Sequence, residues 1–411
     1  MARSEIIVGL DIGTTKVCAV VGEVSKDGVA LAGHGLVPCE GLRKGIVVDI
    51  RATAEAVADA VAQAEKMTGY QIRSVAVGVT GQHVASCNRE ASVPIQKFRD
   101  IAEEDVAQVL EAAERGVAAD GREVIHNIPR LFSIDGHAGI RRPVGMSGSS
   151  LEVESHVITA QSSQIQNVIK CVHEADLSIV PHGIILEPLA TARAVLTPDE
   201  RELGVALVDI GGGTSDVALF RLGTVFHSAV IAVGGNHVTN DLAVGLRVAR
   251  GEAERIKLAH GTALEESVDE AEAVAITPVG QPEGDGTRVP RRIIGEIVQP
   301  RMEELFELVQ AEIERAGAAG QLPAGLVLSG GGSRLPGTLA VAARVLGVPV
   351  RLGTPLDPAA ATGSLNGPEF ATGVGLVLYA ASTYRAGDLR NSSLVRALWL
   401  RLRHALRRVF S

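Results

Sequence analysis

Short apolar runs alternate with amphipathic stretches along most of the chain, which is the pattern of strands interleaved with helices in an α/β protein. Two of those runs resemble one another: VGLDIGTTKVCAVVGEV (8–24) and ALVDIGGGTSDVALFRL (206–222). Each reads as an apolar strand, Asp-Ile-Gly, a turn of small residues and a second apolar strand. Asp11 and Asp209 lie 198 residues apart, so the chain reads as two related halves. Residues 85–163 have a mixed strand and helix character, with a helix expected over 98–118, and read as a subdomain inserted in the first half. In the second half, 251–321 opens with GEAERIKLAHG, passes a Gly/Pro-rich loop at 277–292 and enters a long helix, a second subdomain with a hairpin. The expected layout is 1–84, 164–200 and 371–384 for the first core domain, and 201–250 with 322–370 for the second. A polar linker at 385–392 precedes a terminal helix at 393–411.

The chain of 411 residues has room for two or more domains, and 46% hydrophobic against 21% charged residues fits a compact body with a sizeable core. No apolar run reaches the length that spans a bilayer, and the N-terminus enters a strand without a signal peptide's apolar stretch. Cys18, Cys39, Cys87 and Cys171 have no metal spacing and read as buried thiols of a reducing cytosol. The net charge is −9, and setting aside five C-terminal arginines takes the body to −14. An acidic body argues against nucleic acid as the main partner.

Both Asp-Ile-Gly turns suit a tight β-hairpin whose backbone N–H groups face an anion, because glycine permits close approach of the main chain. Gly13, Thr14, Thr15 and Lys16 in the first turn, and Gly211, Gly212, Gly213 and Thr214 in the second, are candidate phosphate contacts. Asp11 and Asp209 end their strands and can hold Mg²⁺ through its waters beside a bound phosphate chain. One such motif alone is as readily an ordinary turn, but two at half-chain spacing are not. No GxxxxGK[ST] and no strand–GxGxxG–helix occurs, so the site is neither a P-loop nor a Rossmann turn. A third cluster, LVLSGGGSRLPG, should open a helix and bring Gly330, Gly331, Gly332 and Ser333 against a purine ring. Glu254 and Lys257 share a helical face and reach either the ribose or base, or only each other. Gly234, Gly235 and Asn236 complete the candidate nucleotide contacts.

The segments GLDIGTTK, EPLATARAV, VDIGGGTSDVALF, GEAERIK, LSGGGSRLPG and GVGLVLYA together resemble the actin, Hsp70 and sugar-kinase superfamily. More narrowly, the chain is similar over essentially its whole length to the FtsA family of actin-like bacterial cell-division proteins. That resemblance implies a two-lobed α/β fold of duplicated RNase H-like domains around an ATP cleft, with an inserted α+β subdomain. It further implies actin-like filaments, attachment at the cytoplasmic face of the membrane at the division septum, other division proteins as partners, and binding of the acidic C-terminal tail of tubulin-like FtsZ. Arg301, on the matching helix, and Arg292 before it become the expected FtsZ-tail contacts, as a pair near Ile293, Ile297 and Leu305. Glu187 stands where related enzymes polarise an attacking water; it does that here with at most slow hydrolysis, or it caps the following helix.

The C-terminus has its own pattern. On a wheel of about 100° per residue, Leu394, Val395, Leu398, Trp399, Leu402, Leu406, Val409 and Phe410 fall on one face. Arg396, Arg401, Arg403, Arg407 and Arg408 fall on the other, with Leu400 the exception. An aromatic and aliphatic face opposite an arginine face is the composition of a helix lying in the plane of an anionic membrane. The alternative is a helix docked on the body, which rarely carries five arginines without one acid. A small-molecule kinase, a type IV pilus adaptor and an Hsp70-like chaperone are the rival readings; none accounts for this terminus.

Overall fold

The computed structural model describes residues 5–25, 28–118, 121–269, 271–281, 287–356 and 363–383. The proposed linker at 385–392 and the terminal helix at 393–411 lie outside them.

Two five-stranded sheets carry the molecule, and they share one topology. The first runs Val29–Pro38, Lys16–Val24, Glu5–Ile12, Ser74–Val79, Ser178–Leu186. The second runs Thr224–Ile231, Ser215–Arg221, Val205–Ile210, Leu326–Ser329, Val350–Leu352. In each, three antiparallel strands joined by hairpins are followed by two parallel ones. The duplication seen in the two Asp-Ile-Gly segments is therefore a duplication of the whole sheet.

Both central strands are buried on both faces, which is why they read as nearly continuous Val/Ile/Leu runs rather than alternating ones. In the first half the helix Ile50–Thr68 covers the sheet; Asp49 caps it by accepting from the Ala52 N–H at 3.0 Å, and Gly69 ends it in the left-handed region. Its Val57, Ala60, Val61 and Ala64 pack on Val17, Ala19 and Val21. The helix over 371–383 covers the other face and lies between the halves. Its Val374 and Val377 share a core with Val20 of the first sheet and Leu207 and Ala218 of the second. In the second half, Gly235–Leu246, Arg250–His260 and Arg291–Arg315 pack on the sheet through Leu242, Ile256, Met302 and Phe306.

The insertion has a sheet of its own, ordered Val84–Asp100, Ser147–Gln161, Arg122–Ile134, His137–Ile140. The expected helix over 98–118 is shorter, Glu103–Glu114, because 98–100 finish the long strand. Asp105 fixes its start, accepting from the Ala102 N–H and from Arg99. The insertion also touches the second half: Asn88 Nδ2 donates to the Phe226 carbonyl at 3.0 Å, Ser86 Oγ to that of Ser228 at 2.8 Å, and buried His156 sits between Asn88 and Ser228. Cysteine exposure departs from expectation at one position. Cys18, Cys39 and Cys171 are buried, but Cys87 is exposed because it lies on an edge strand of the insertion. No described helix is long and apolar enough to cross a membrane.

Candidate functional site

The two Asp-Ile-Gly turns close in the same way and face each other. Gly13 N–H donates to the Lys16 carbonyl at 2.9 Å, and Gly211 N–H to that of Thr214 at 2.9 Å. A side chain at Gly212 would overlap Thr15, and one at Gly213 would stand 2.6 Å from Thr14 Oγ1, so small residues are required where the halves meet. Asp11 and Asp209 line one narrow chamber of about 60 Å³ with both turns, Glu187, Gly330 and Gly331. It opens into a larger chamber of about 530 Å³, with Thr15, Lys16, Gly211, Gly212 and Gly331 common to both. That larger space is walled by Val233, Val238, Met302, Leu305, Leu335 and Pro336, with Lys257 and Arg301 at its polar side. A polar throat leading to an apolar chamber matches a phosphate chain followed by a flat heterocycle.

Charge in the throat is lopsided. Lys16 Nζ is 3.6 Å from Asp11 Oδ2 and also donates to the Glu369 carbonyl. Asp209 Oδ2 accepts from Thr191 at 2.8 Å and Thr372 at 3.0 Å. Asp216 accepts from Thr80, reaching from the second half to the first. Four buried carboxylates thus share one lysine. Burial pushes the Asp216 carboxyl up to about 8, with Asp209 and Asp11 adding to the shift. Burial also raises Glu187 well above the carboxylate range, helped by Asp11, Asp216 and Asp209, and it raises Asp11 and Asp209 themselves. Glu187 begins the helix Glu187–Val195 yet makes no side-chain cap bond, and its buried Oε1 has no partner. An orphaned carboxylate oxygen in a surplus of negative charge is what a divalent cation with its waters would satisfy. Among the described residues, no three potential ligands stand close enough to hold a metal unaided, which fits a cation carried mainly by a substrate's phosphates.

The remaining sequence candidates divide. Gly234, Gly235, Asn236 and Lys257 line the larger chamber, and Lys257 Nζ donates to the Gly235 carbonyl at 3.2 Å. Glu254 does not line it; its carboxylate receives Lys257 at 2.8 Å and the Thr239 hydroxyl. The third glycine cluster opens a 3₁₀ turn, Gly331–Arg334, and the α-helix starts only at Thr338. Gly330 there has φ 77, and a side chain would overlap Asp209 Oδ1. Ser333 points inward to the Gly330 carbonyl at 2.7 Å, so it locks the turn instead of lining either chamber.

The two arginines do not form the expected pair. Nine residues along one helix turns them about 180° apart. Arg301 engages Asp241 at 2.6 Å and Glu304, and faces the larger chamber. Arg292 lies near Glu296 at 3.4 Å and Glu265 at 3.9 Å. Leu305 is buried and Ile293 and Ile297 pack against the core, so they offer no apolar floor to a peptide. Sequence reading missed Thr80, Asp216, Glu369 and Thr372 in the throat, Thr191 behind Asp209, and Met302 and Leu335 in the larger chamber. Only Asp216, inside GGGTSD, carried a local signal.

Comparison with known proteins gives the family. A profile described as "Cell division protein FtsA" matches residues 206–375, and one described as "SHS2 domain inserted in FTSA" matches 81–159. The cell division protein FtsA of Pseudomonas aeruginosa is 42% identical over 91% of this chain and 89% of its own length. That of Escherichia coli K12 is 38% identical over 99% of this chain and 98% of its own. The chain belongs to the FtsA family.

Its FtsA-type insertion is the separate four-stranded sheet, and the profile over 206–375 covers the sheet and helices that wall most of the larger chamber. Solved structures share the actin-like fold. The PilM–PilN type IV pilus biogenesis complex aligns with TM-score 0.66 at 21% identity, covering 91% of this chain and 98% of that one. MreB5 of Spiroplasma citri bound to AMPPNP aligns with TM-score 0.55 at 13% identity, covering 95% and 99%.

Proposed function

We propose that this FtsA-family protein binds ATP with Mg²⁺ between its halves, assembles into actin-like filaments, and tethers FtsZ to the cytoplasmic face of the membrane at the division septum. The observation that carries the reading is the pair of matching turns that aim Asp11 and Asp209 into one throat. Gly13, Thr14, Thr15, Gly211, Gly212, Gly213 and Thr214 would face the phosphates, and the apolar chamber the adenine. Asp11 and Asp209 would hold Mg²⁺ through water, and the ion would neutralise the phosphate charge that the carboxylates repel. Glu187 would orient a water for slow hydrolysis. MreB5, which shares the fold, is described in complexes with ADP and with AMPPNP, and this supports an adenine nucleotide as ligand.

Membrane attachment would come from residues 393–411, through Trp399, the aliphatic face and the five arginines. Single tails bind reversibly and a filament of many tails binds firmly. The test is filament formation on anionic liposomes with and without ATP, read by co-sedimentation and electron microscopy, with FtsZ added. Filaments that need ATP and recruit FtsZ are expected. Trp399→Glu should reduce pelleting by at least about tenfold; pelleting like the parent would overturn the anchor.

Of the two arginines, Arg301 has the firmer claim on an acidic peptide, because the helix that carries its partner Asp241 also presents exposed Val244. Arg301→Glu would set a third acid against Asp241 and Glu304. FtsZ-tail affinity measured by fluorescence anisotropy should fall about tenfold or more. An unchanged affinity would remove Arg301 from the site.

A further inference from the structure

A second polar cavity, of about 220 Å³, lies away from the nucleotide cleft, where both halves and the insertion meet. Its floor is apolar: Leu189, Phe220 and Val225. Two arginines line it, Arg193 on the helix Glu187–Val195 and Arg201 on Pro198–Leu203. Neither makes an ion pair or a side-chain hydrogen bond among the described residues, and Arg201 Nε is buried with no partner. The neighbouring acids on the same short helix are occupied elsewhere: Glu202 by Arg141 at 2.5 Å and Glu200 by Arg351 at 2.6 Å. Burial and the charge of Arg193 both lower the Arg201 pKa, so the two guanidinium groups feel each other. Arg193 is exposed, whereas Arg201 is partly buried; a guanidinium with a buried unsatisfied donor beside a second positive charge is unfavourable unless an anion joins them.

We propose that Arg193 and Arg201 form an anion site for a phosphate group, either a free phosphate or polyphosphate or the headgroup of an anionic phospholipid. Guanidinium groups suit phosphate oxygens because each presents N–H donors in a planar fork. The cavity's size admits a phosphate monoester or a phosphoglycerol. Its place gives binding a consequence. Glu187 in the nucleotide throat and Arg193 at this cavity stand at the two ends of one nine-residue helix. An anion there bridges that helix to Arg201, just before the second sheet begins at Val205. If the halves shift when the throat fills, the anion's affinity shifts with them, and the reverse holds by linkage. Ser382, at the cavity's edge, also lies near the end of the described chain, twelve residues before the apolar face begins at Leu394. The lipid form of the proposal therefore rests on the membrane anchor proposed above, whereas the free-phosphate form does not.

The test titrates inorganic phosphate and pyrophosphate into the full chain by calorimetry, alongside Arg193→Gln and Arg201→Gln. Affinity at this site should fall about tenfold or more in each variant. A Lys16→Ala variant, impaired in the throat, should keep the event that the arginine variants lose. Arg201→Met should melt no lower than the parent without phosphate and should lose the phosphate-induced rise in Tm; this separates a ligand site from a structural arginine. In a second arm, vesicles of phosphatidylglycerol and of phosphatidylcholine are compared. Weaker retention of the arginine variants on phosphatidylglycerol alone identifies the headgroup as source. Equal retention together with lost phosphate binding identifies a soluble anion. Phosphate isotherms and vesicle binding that both superimpose on the parent's overturn the proposal.

Discussion

An Asp216→Asn variant will melt well above the parent at pH 8.5 and close to it at pH 5 when both are free of nucleotide and divalent ions. Asp216 titrates at about 8 in the fold against 3.8 in the unfolded chain. The folded state therefore binds the extra proton between those values, and stability falls as pH rises from about 4 through about 8. The penalty at the alkaline end is on the order of a few kcal/mol. Asparagine keeps an oxygen for Thr80 and removes the charge, so the alkaline loss should flatten. On the acid side the slope has the opposite sign. His83 and His126, both depressed to about 4 by burial, must take up protons to unfold below about 6.5, and they withdraw stability as pH falls. The variant should thus gain on the parent progressively from about pH 4 to about pH 8, while the histidine loss on the acid side is common to both. Tm measured from pH 4.5 to 9 checks this; parallel curves for parent and variant would show that Asp216 is charged in the folded protein. The same protonation predicts that Mg-ATP binding releases protons at pH 7, visible as a binding enthalpy that changes with the buffer.

Gly375→Ala should destabilise the protein by about 3 kcal/mol or more, although alanine is the better helix former. The helix over 371–383 runs so close to Glu187–Val195 that a methyl group at 375 would overlap the backbone carbonyl of Ala190. The same helix approaches the first sheet through Gly9, whose added methyl would lie 2.6 Å from the Gly373 carbonyl. Backbone cannot retreat as the end of a flexible side chain can, so the helix itself must shift, and with it the wall between the halves. Gly251→Ala is the control. It sits in a helix with nothing within 4 Å of its added methyl, and should gain a few tenths to about 1 kcal/mol. Urea midpoints of the two variants should move in opposite directions; a neutral Gly375→Ala would show that the helix repacks freely.

The parts legible in the sequence were those written locally. Asp-Ile-Gly followed by small residues states a strand end, a tight turn and a backbone face for an anion within six positions, and both turns formed as read. Their repetition announced the duplicated sheet. Chemistry assembled from separate segments was hidden: Thr80 follows a strand, Thr191 sits mid-helix and Thr372 begins a helix, and they have no pattern until the fold brings them to the throat and its Asp209. Burial was equally hidden. Leu305 reads as apolar beside an arginine whether it floors a groove or fills a core, and the packing of the long helix chose the core. Arg292 and Arg301 were close in sequence yet on opposite faces, a mismatch that counting turns along the helix exposes. Ser333 reads as a purine contact beside three glycines, but in the fold its hydroxyl turns back to the Gly330 carbonyl.

The insertion leaves the chain from the first half but is fastened to the second by Ser86, Asn88 and His156 against the strand Thr224–Ile231. It works as a gear between two plates, hinged on one and meshed with the other. Any relative rotation of the plates must then either swing the insertion or strip those three contacts, so a subunit docked against the insertion would sense the angle of the cleft without touching the nucleotide.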